Sequence, residues 1–245
     1  MQKPSKEVAV VPVSLYWDIK RFLVPDRWLM AMILVRFPVP DGYDPREVRP
    51  CIKRNSRKLG YSGPITITVV GVFSKVTRGI LKALFSSEIS LHNGSHGFRS
   101  LLGLVFDCFI DNPPPTNIMV ISRPVSKVYD MMSLLKEDGY NTMFPFDAFT
   151  DAKSIWENSL LLGVCSSSLS QDTCTETVEP VSWVCAVCED ITGPCFDNFI
   201  KHLSSREHKS RLPLFFTPNS YVPMDRYVDE VVSAVAPRVS YHLES

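Results

Sequence analysis

The sequence predicts an α/β fold, a mostly parallel sheet flanked by helices, with a small ββα module after it. Three observations predict this. Apolar, β-branched runs bounded by Pro, Gly or Ser recur at 8–17, 65–72 and 117–122. Segments with apolar residues at helical spacing lie between and after them, the alternation that buries a parallel sheet on both faces. A compact group of Cys and His residues follows near 183–212, in a stretch too short to build a core from apolar groups alone. At 245 residues, the chain is long enough for one sizeable domain and such a module.

The elements follow in order. The first strand, 8–17, runs into "SLYWDIKRF" and stops on Asp18. In a parallel sheet, functional groups gather at the carboxyl ends of strands, and Asp18 holds such a position. "WLMAMILV", 28–35, is the most apolar run; it is too short to span a bilayer and is bounded by Arg27 and Arg36. Helices are expected at 45–59, 77–85 and 101–110, with strands "ITITVVGV" and "NIMVIS" between and after them. The next helix, 126–137, places Val128, Met131, Met132 and Leu135 on one face as core, with Gly139 as its stop. Beyond Trp156 the chain turns rich in Ser and Thr ("VCSSSLSQDTCTETVEPVS"), which reads as a linker. The expected division is thus 1–158 for the α/β domain, 159–182 for the linker, 183–212 for the module and 213–245 for a tail with a short helix near 225–235.

The 26 basic residues balance the 26 acidic ones. No global field therefore draws this protein to nucleic acid or membrane, and any such binding must be local. Cys51 and Cys108 stand alone, whereas Cys165, Cys174, Cys185, Cys188 and Cys195 fall in one stretch. With no signal-like segment in "MQKPSKEVAV", this clustering points to a reducing compartment and to metal rather than disulfides.

"WVCAVCEDITGPCFDNFIKHLSSREHKSRL" carries the strongest chemical signal. The two-residue spacing of Cys185 and Cys188 lets a tight turn aim both thiolates at one ion, and His202 and His208 follow on a helix from Phe196. Two thiolates and two imidazoles suit tetrahedral Zn²⁺ with no open position, a structural site. Six helical steps turn about 600°, which leaves the two rings about 240° apart, so a regular helix cannot present both to one metal. The helix must loosen or end near Ser204 and Ser205. Phe199 is expected to fill the module's core, and Cys195 reads as a spare thiol. The C-x2-C, x13, H-x5-H pattern resembles the matrin/U1-like class of C2H2 zinc fingers. That resemblance implies RNA binding, often to double strands, with Lys201, Arg206, Lys209 and Arg211 as candidates to face phosphate. Glu189, Asp190, Asp197 and Glu207 offset these charges.

The first domain carries a second resemblance. "YWDIK", "PVPDGYDPREVRPCIKR", "LGYSGPITIT" and "DNPPPTNIMVIS", in that order, resemble the NYN domain of plant limkain-type proteins, relatives of the meiosis-regulator and mRNA-stability factor family. The resemblance implies a PIN-like α/β fold and, in active members, a metal-dependent endoribonuclease. Such a site needs several carboxylates to hold Mg²⁺ or Mn²⁺, which activates water and steadies charge on the phosphate. Asp18 matches the family's first acid. Arg21 stands where the family commonly has Asn, and an ungapped alignment puts Leu104 at the next acid. Asp107 lies one turn further, rotated about 60° and displaced about 4.5 Å. The family's "SGDRDF"-like turn reads "SRPVSKV" here, with Arg123, Pro124 and Ser126 in place of its glycine and aspartates. The segment 22–37 is an insertion relative to the family.

The expectation is therefore a degenerate nuclease, with Arg21 and Arg123 supplying fixed positive charge in place of the cation beside Asp18. "HNGSHG", with His92 and His96, reads as a loop, and "GVFSKVTRG" lacks the ending of a P-loop. The preferred function is RNA-associated post-transcriptional regulation. Two alternatives stay open: an active Mg²⁺- or Mn²⁺-dependent endoribonuclease using Asp18 and Asp107, aided by Asp111, and a protein-interaction adaptor working through the finger. No membrane partner is expected. Cytoplasm or nucleus is expected, and family resemblance adds the peroxisome, although the chain closes on "HLES" rather than a Ser-Lys-Leu address.

Overall fold

The computed structural model describes residues 4–18, 44–94, 97–122, 126–143 and 181–216. The insertion at 22–37, Arg21, Arg123, Pro124, His96, nearly all of the linker and the helix expected near 225–235 lie outside these residues.

Seven strands form one sheet: β1 (Val13–Asp18), β2 (Ile65–Gly71), β3 (Ser90–Asn93), β4 (Asn117–Ile121), β5 (Asn141–Met143), β6 (Trp183–Cys185) and β7 (Ile191–Gly193). Their order is β5-β4-β1-β2-β3-β6-β7. Every neighbouring pair is parallel except β6 with β7. Helices α1 (Lys6–Ala9), α2 (Val48–Lys58), α3 (Arg78–Ser86), α4 (Gly97–Asp111), α5 (Ser126–Glu137), α6 (Phe196–Ser204) and α7 (Arg206–Phe216) complete the described elements. The architecture is the mostly parallel, helix-flanked sheet that the alternating sequence pattern predicts.

Side-chain alternation divides the core into two layers. Val13, Leu15 and Trp17 of β1 join Ile67 and Val69 of β2 in one layer, covered by Ile52 of α2 and by Leu81 and Leu84 of α3. Val70, Ile118 and Val120 face the other way, against Leu101 and Val105 of α4 and Val128 and Met132 of α5. Met131 packs at the edge of this second layer, so the pair Met131 and Met132 serves as core. Gly139, at φ +87°, ends α5 in the left-handed conformation that costs glycine nothing, and Tyr140 N donates back to Leu135 O.

The structure differs from the sequence expectation at three places. The first strand begins at Val13 rather than residue 8, because Lys6–Ala9 forms a helical turn capped by the Ser5 hydroxyl. The "HNGSHG" loop begins as strand: His92 and Asn93 are the last residues of β3, held between β2 and β6. Strands β5 and β6 are three residues each, too short to leave a periodic signature. In the last two cases tertiary pairing overrides local propensity. Helix α7 runs to Phe216, four residues past the expected end of the module at 212.

The sheet also absorbs the module. Parallel pairing of Leu91 with Trp183 and of Asn93 with Cys185 makes the module's hairpin the last two strands of the sheet. Helix α6 then packs on α3, with Phe85 against Phe196 and Arg78 paired with Asp197 at 3.2 Å.

One strand in from the opposite edge, Asn117 is fully buried and its amide Nδ2 donates to Val8 O at 3.0 Å and Val11 O at 2.9 Å, while its Oδ1 accepts from Asn141 Nδ2. Asn117→Ala removes a donor from both of these part-buried carbonyls, of which Val8 O also accepts from Val11 N, and is expected to cost about 2 kcal/mol. Urea unfolding checks this, and a loss below about 0.5 kcal/mol, the level of an ordinary surface change, counts against the clamp.

Candidate metal centre

β6 ends on Cys185, and a 3-10 turn, Ala186–Cys188, carries the chain to the second thiol. Glu189 (φ 60°) and Asp190 (φ 57°) then adopt the left-handed conformation that reverses the chain into β7. On the other side of the centre, α6 stops at Ser204, and Ser205 is extended at φ −65°, ψ 154°. Ser205 N donates to His202 O, while the Ser205 hydroxyl accepts from His208 N at 3.1 Å as the cap of α7. One residue thus closes one helix and opens the next. This break solves the angular problem that the six-residue His spacing poses, and the two imidazole centroids lie 5.0 Å apart.

The donor atoms of Cys185, Cys188, His202 and His208 all lie within 4.8 Å of one another. His208 Nδ1 is 3.5 Å from Cys185 Sγ and 3.4 Å from Cys188 Sγ. A single imidazole nitrogen has one lone pair or one proton and cannot serve two thiols well. A tetrahedral ion with bonds of about 2.3 Å to sulfur and 2.0–2.1 Å to nitrogen sets the S···N edge at about 3.6 Å, which these distances approach. His202 Nε2 is buried and has no hydrogen-bond partner, which leaves its lone pair free to ligate a metal. The four residues fit a metal, and the donor set is compatible with zinc.

Burial holds both imidazoles neutral: His202 is lowered from its usual range, and His208 is pulled down to about 4 by burial and then by the neighbouring His202. Cys188 goes the other way. Burial, followed by the charge of Cys185, pushes its thiol up to about 11. A bound cation reverses that cost by neutralising the thiolate.

The metal ligands sit against an aromatic stack. Phe199 is fully buried, 5.2 Å from Trp183 and 5.9 Å, edge-on, from Phe73 of the sheet domain. Trp183 stacks in turn on His202 at 5.6 Å and donates its Nε1 to Cys195 O at 2.9 Å. Cys195 itself is exposed and stands outside the four-residue cluster.

The other sequence candidates are dispersed. Lys201, Arg206 and Lys209 are exposed. Arg211 instead binds Glu189 Oε1 at 2.8 Å, so the guanidinium expected to face phosphate is held by the knuckle. Asp18 ends β1 in register with Val70; its side chain lies outside the described residues, as do those of Arg21, Arg123, Pro124 and Ser126. Asp107 is exposed on α4, its carboxyl raised by partial burial and by the charges of Asp111 and Asp190. Leu104 packs at the edge of the second core layer. Among the described residues, the Cys/His cluster is the one group of three or more donors able to hold a metal, and Asp107 belongs to no such group. His92 is buried in β3 and lowered by that burial.

Two residues that sequence reasoning did not single out belong beside these sites. Asn93 donates its Nδ2 to Cys185 Sγ at 3.3 Å. Ser122, which follows β4 at the carboxyl edge of the sheet, buries a hydroxyl with no partner. Neither has a spacing signature, since both gain meaning only from strand neighbours distant in sequence.

Comparison with protein-family models, curated proteins and solved structures finds no match. Among the described residues, no helix is long and apolar enough to cross a membrane.

Titration with Co²⁺ is expected to give one equivalent with thiolate-to-metal charge transfer, and Cys188→Ser to abolish that band. Because the metal displaces a proton from a thiol raised to about 11, affinity must rise with pH. The expected slope is about tenfold per pH unit for each proton displaced between pH 6 and 8, read by competition with a chromophoric chelator. A flat profile contradicts the thiolate assignment.

Proposed function

We propose that this chain is an RNA-associated NYN-like, PIN-like protein with a structural zinc finger, acting in post-transcriptional regulation and carrying a degenerate nuclease site. The observation that carries this reading is a four-donor Cys/His cluster, all of its ligands supplied by protein, beside the exposed cations Lys201, Arg206 and Lys209. A tetrahedral zinc with no free position holds α6 and α7 on the knuckle and does no chemistry on substrate. The resemblance of the finger to the matrin/U1-like class supports RNA as the ligand, possible strand forms including duplex. The parallel sheet supports the PIN-like reading at the level of architecture.

The placement of the cluster adds to this. Cys185 and Asp18 both end parallel strands at the carboxyl edge of the sheet, separated by β2 and β3. Three strand spacings of about 4.8 Å put the strand ends about 14 Å apart, a span that a short single-stranded segment bridges. Catalysis requires carboxylates to converge on Mg²⁺ or Mn²⁺, and among the described residues none do. The rival reading, an endoribonuclease using Asp18 and Asp107, draws on the raised Asp107 carboxyl, whose neighbours Asp111 and Asp190 form a negative surround that a cation would relieve.

The test is labelled single-stranded RNA incubated with zinc-loaded protein and Mn²⁺ or Mg²⁺, beside Asp18→Ala, with binding recorded in the same tubes. Binding without cleavage, unchanged by Asp18→Ala, is the expected result; cleavage that needs Asp18 establishes the enzyme instead. A combined Lys201→Glu, Arg206→Glu and Lys209→Glu variant is expected to weaken RNA binding and to flatten its log–log salt dependence by about 2, the share of three contacts to a single strand. Salt-insensitive or absent RNA binding leaves the finger as a protein-contact module.

A further inference from the structure

The metal cluster is not supported by its own module alone. In register, Asn93 of β3 pairs with Cys185 of β6, so the two side chains stand next to each other on one face of the sheet. Asn93 is 1% exposed, and both ends of its amide are used. Its Oδ1 accepts from Phe73 N at 3.0 Å, which fixes the orientation of the amide and leaves Nδ2 to donate to Cys185 Sγ at 3.3 Å. Phe73 begins the 3-10 turn Phe73–Lys75 that follows β2. Its ring meets Phe199, Phe199 meets Trp183, and Trp183 stacks on His202. The sheet domain therefore reaches two of the four donors by separate routes, Cys185 through an amide and His202 through three aromatic rings.

We infer that Asn93 is a positioning residue for the metal centre, and that through it metal occupancy sets the order of the β2–β3 side of the sheet. The inference rests on the metal reading above. An N–H donated to a ligating thiolate stabilises its charge and fixes its direction, and removing such a partner typically weakens metal binding about 10–100-fold. The effect runs both ways. With the ion bound, Cys185 is anchored and Asn93 holds the turn at Phe73; without it, the hairpin β6–β7 keeps three residues of pairing on β3 and the aromatic contacts of Phe199 and Phe196, and the sheet edge loosens. The finger is then a clasp on the α/β domain rather than an independent module.

The experiment uses the full chain. Hydrogen exchange by mass spectrometry is compared for protein with one equivalent of bound Zn²⁺ and after removal by chelator, and Co²⁺ spectra and affinities are recorded for wild type and Asn93→Asp. The aspartate keeps an oxygen facing Phe73 N but loses the donor to sulfur. Expected are loss of protection across residues 65–94 on metal removal, Co²⁺ affinity at least tenfold weaker in Asn93→Asp, and a shifted sulfur-to-cobalt band. If wild type binds one cobalt tetrahedrally but metal removal leaves 65–94 unchanged, or Asn93→Asp binds as tightly with an unaltered band, the coupling is overturned while the metal centre stands. If wild type binds no cobalt, the metal reading and this inference fall together. Should Asn93→Asp fail to fold, the wild-type exchange comparison decides alone.

Discussion

The parallel pairing of β3 with β6 is the constraint on which the rest of the structure depends. Only three residues of each strand take part, Leu91 to Asn93 and Trp183 to Cys185. Yet that register sets Cys185 beside Asn93 and brings Trp183 into the core layer shared with Leu91. It also delivers α6 onto α3. A slip by one residue would turn Trp183 and Cys185 to the opposite face, since side chains alternate along a strand. The aromatic stack and the metal cluster would then lose their floor together.

Within that frame the metal centre assembles from devices of different range. The turn at Cys185–Cys188 and the left-handed pair Glu189 and Asp190 are local, and they aim two sulfurs at one point. The break at Ser205 is also local, a helix end and a helix cap in a single residue. What joins the two halves is burial. Phe199, Trp183 and Phe73 close over the site, and the same desolvation that keeps His202 and His208 neutral makes an unpaired thiolate expensive. A cation at the centre would satisfy all four groups together.

The carboxyl edge of the sheet tells a different story from its metal-bearing corner. Asp18 arrives there at the end of β1, and the buried, unpartnered hydroxyl of Ser122 follows β4 beside it. A cation site of the hard, oxygen-rich kind needs several such oxygens in convergence. Asp107 is carried on α4 and joins no group of three donors among the described residues. Among the described residues, the donors that converge are those of the Cys/His cluster.

The sequence by itself determined the elements with long periodic patterns: β2, β4 and helices α2 to α5 follow from apolar spacing, with Gly139 as a stop. It also singled out the four residues of the Cys/His cluster and the break between the two histidines, because C-x2-C spacing and helical geometry are local constraints. Only the tertiary structure decided that the module joins the sheet, that His92 and Asn93 are strand rather than loop, and that Arg211 pairs with Glu189 at the surface. Those outcomes depend on contacts between residues about 20 to 90 positions apart, such as Asn93 with Cys185. A three-residue strand has no period of its own to read; its conformation is set by the neighbours that satisfy its backbone, and those neighbours exist only once the chain has folded.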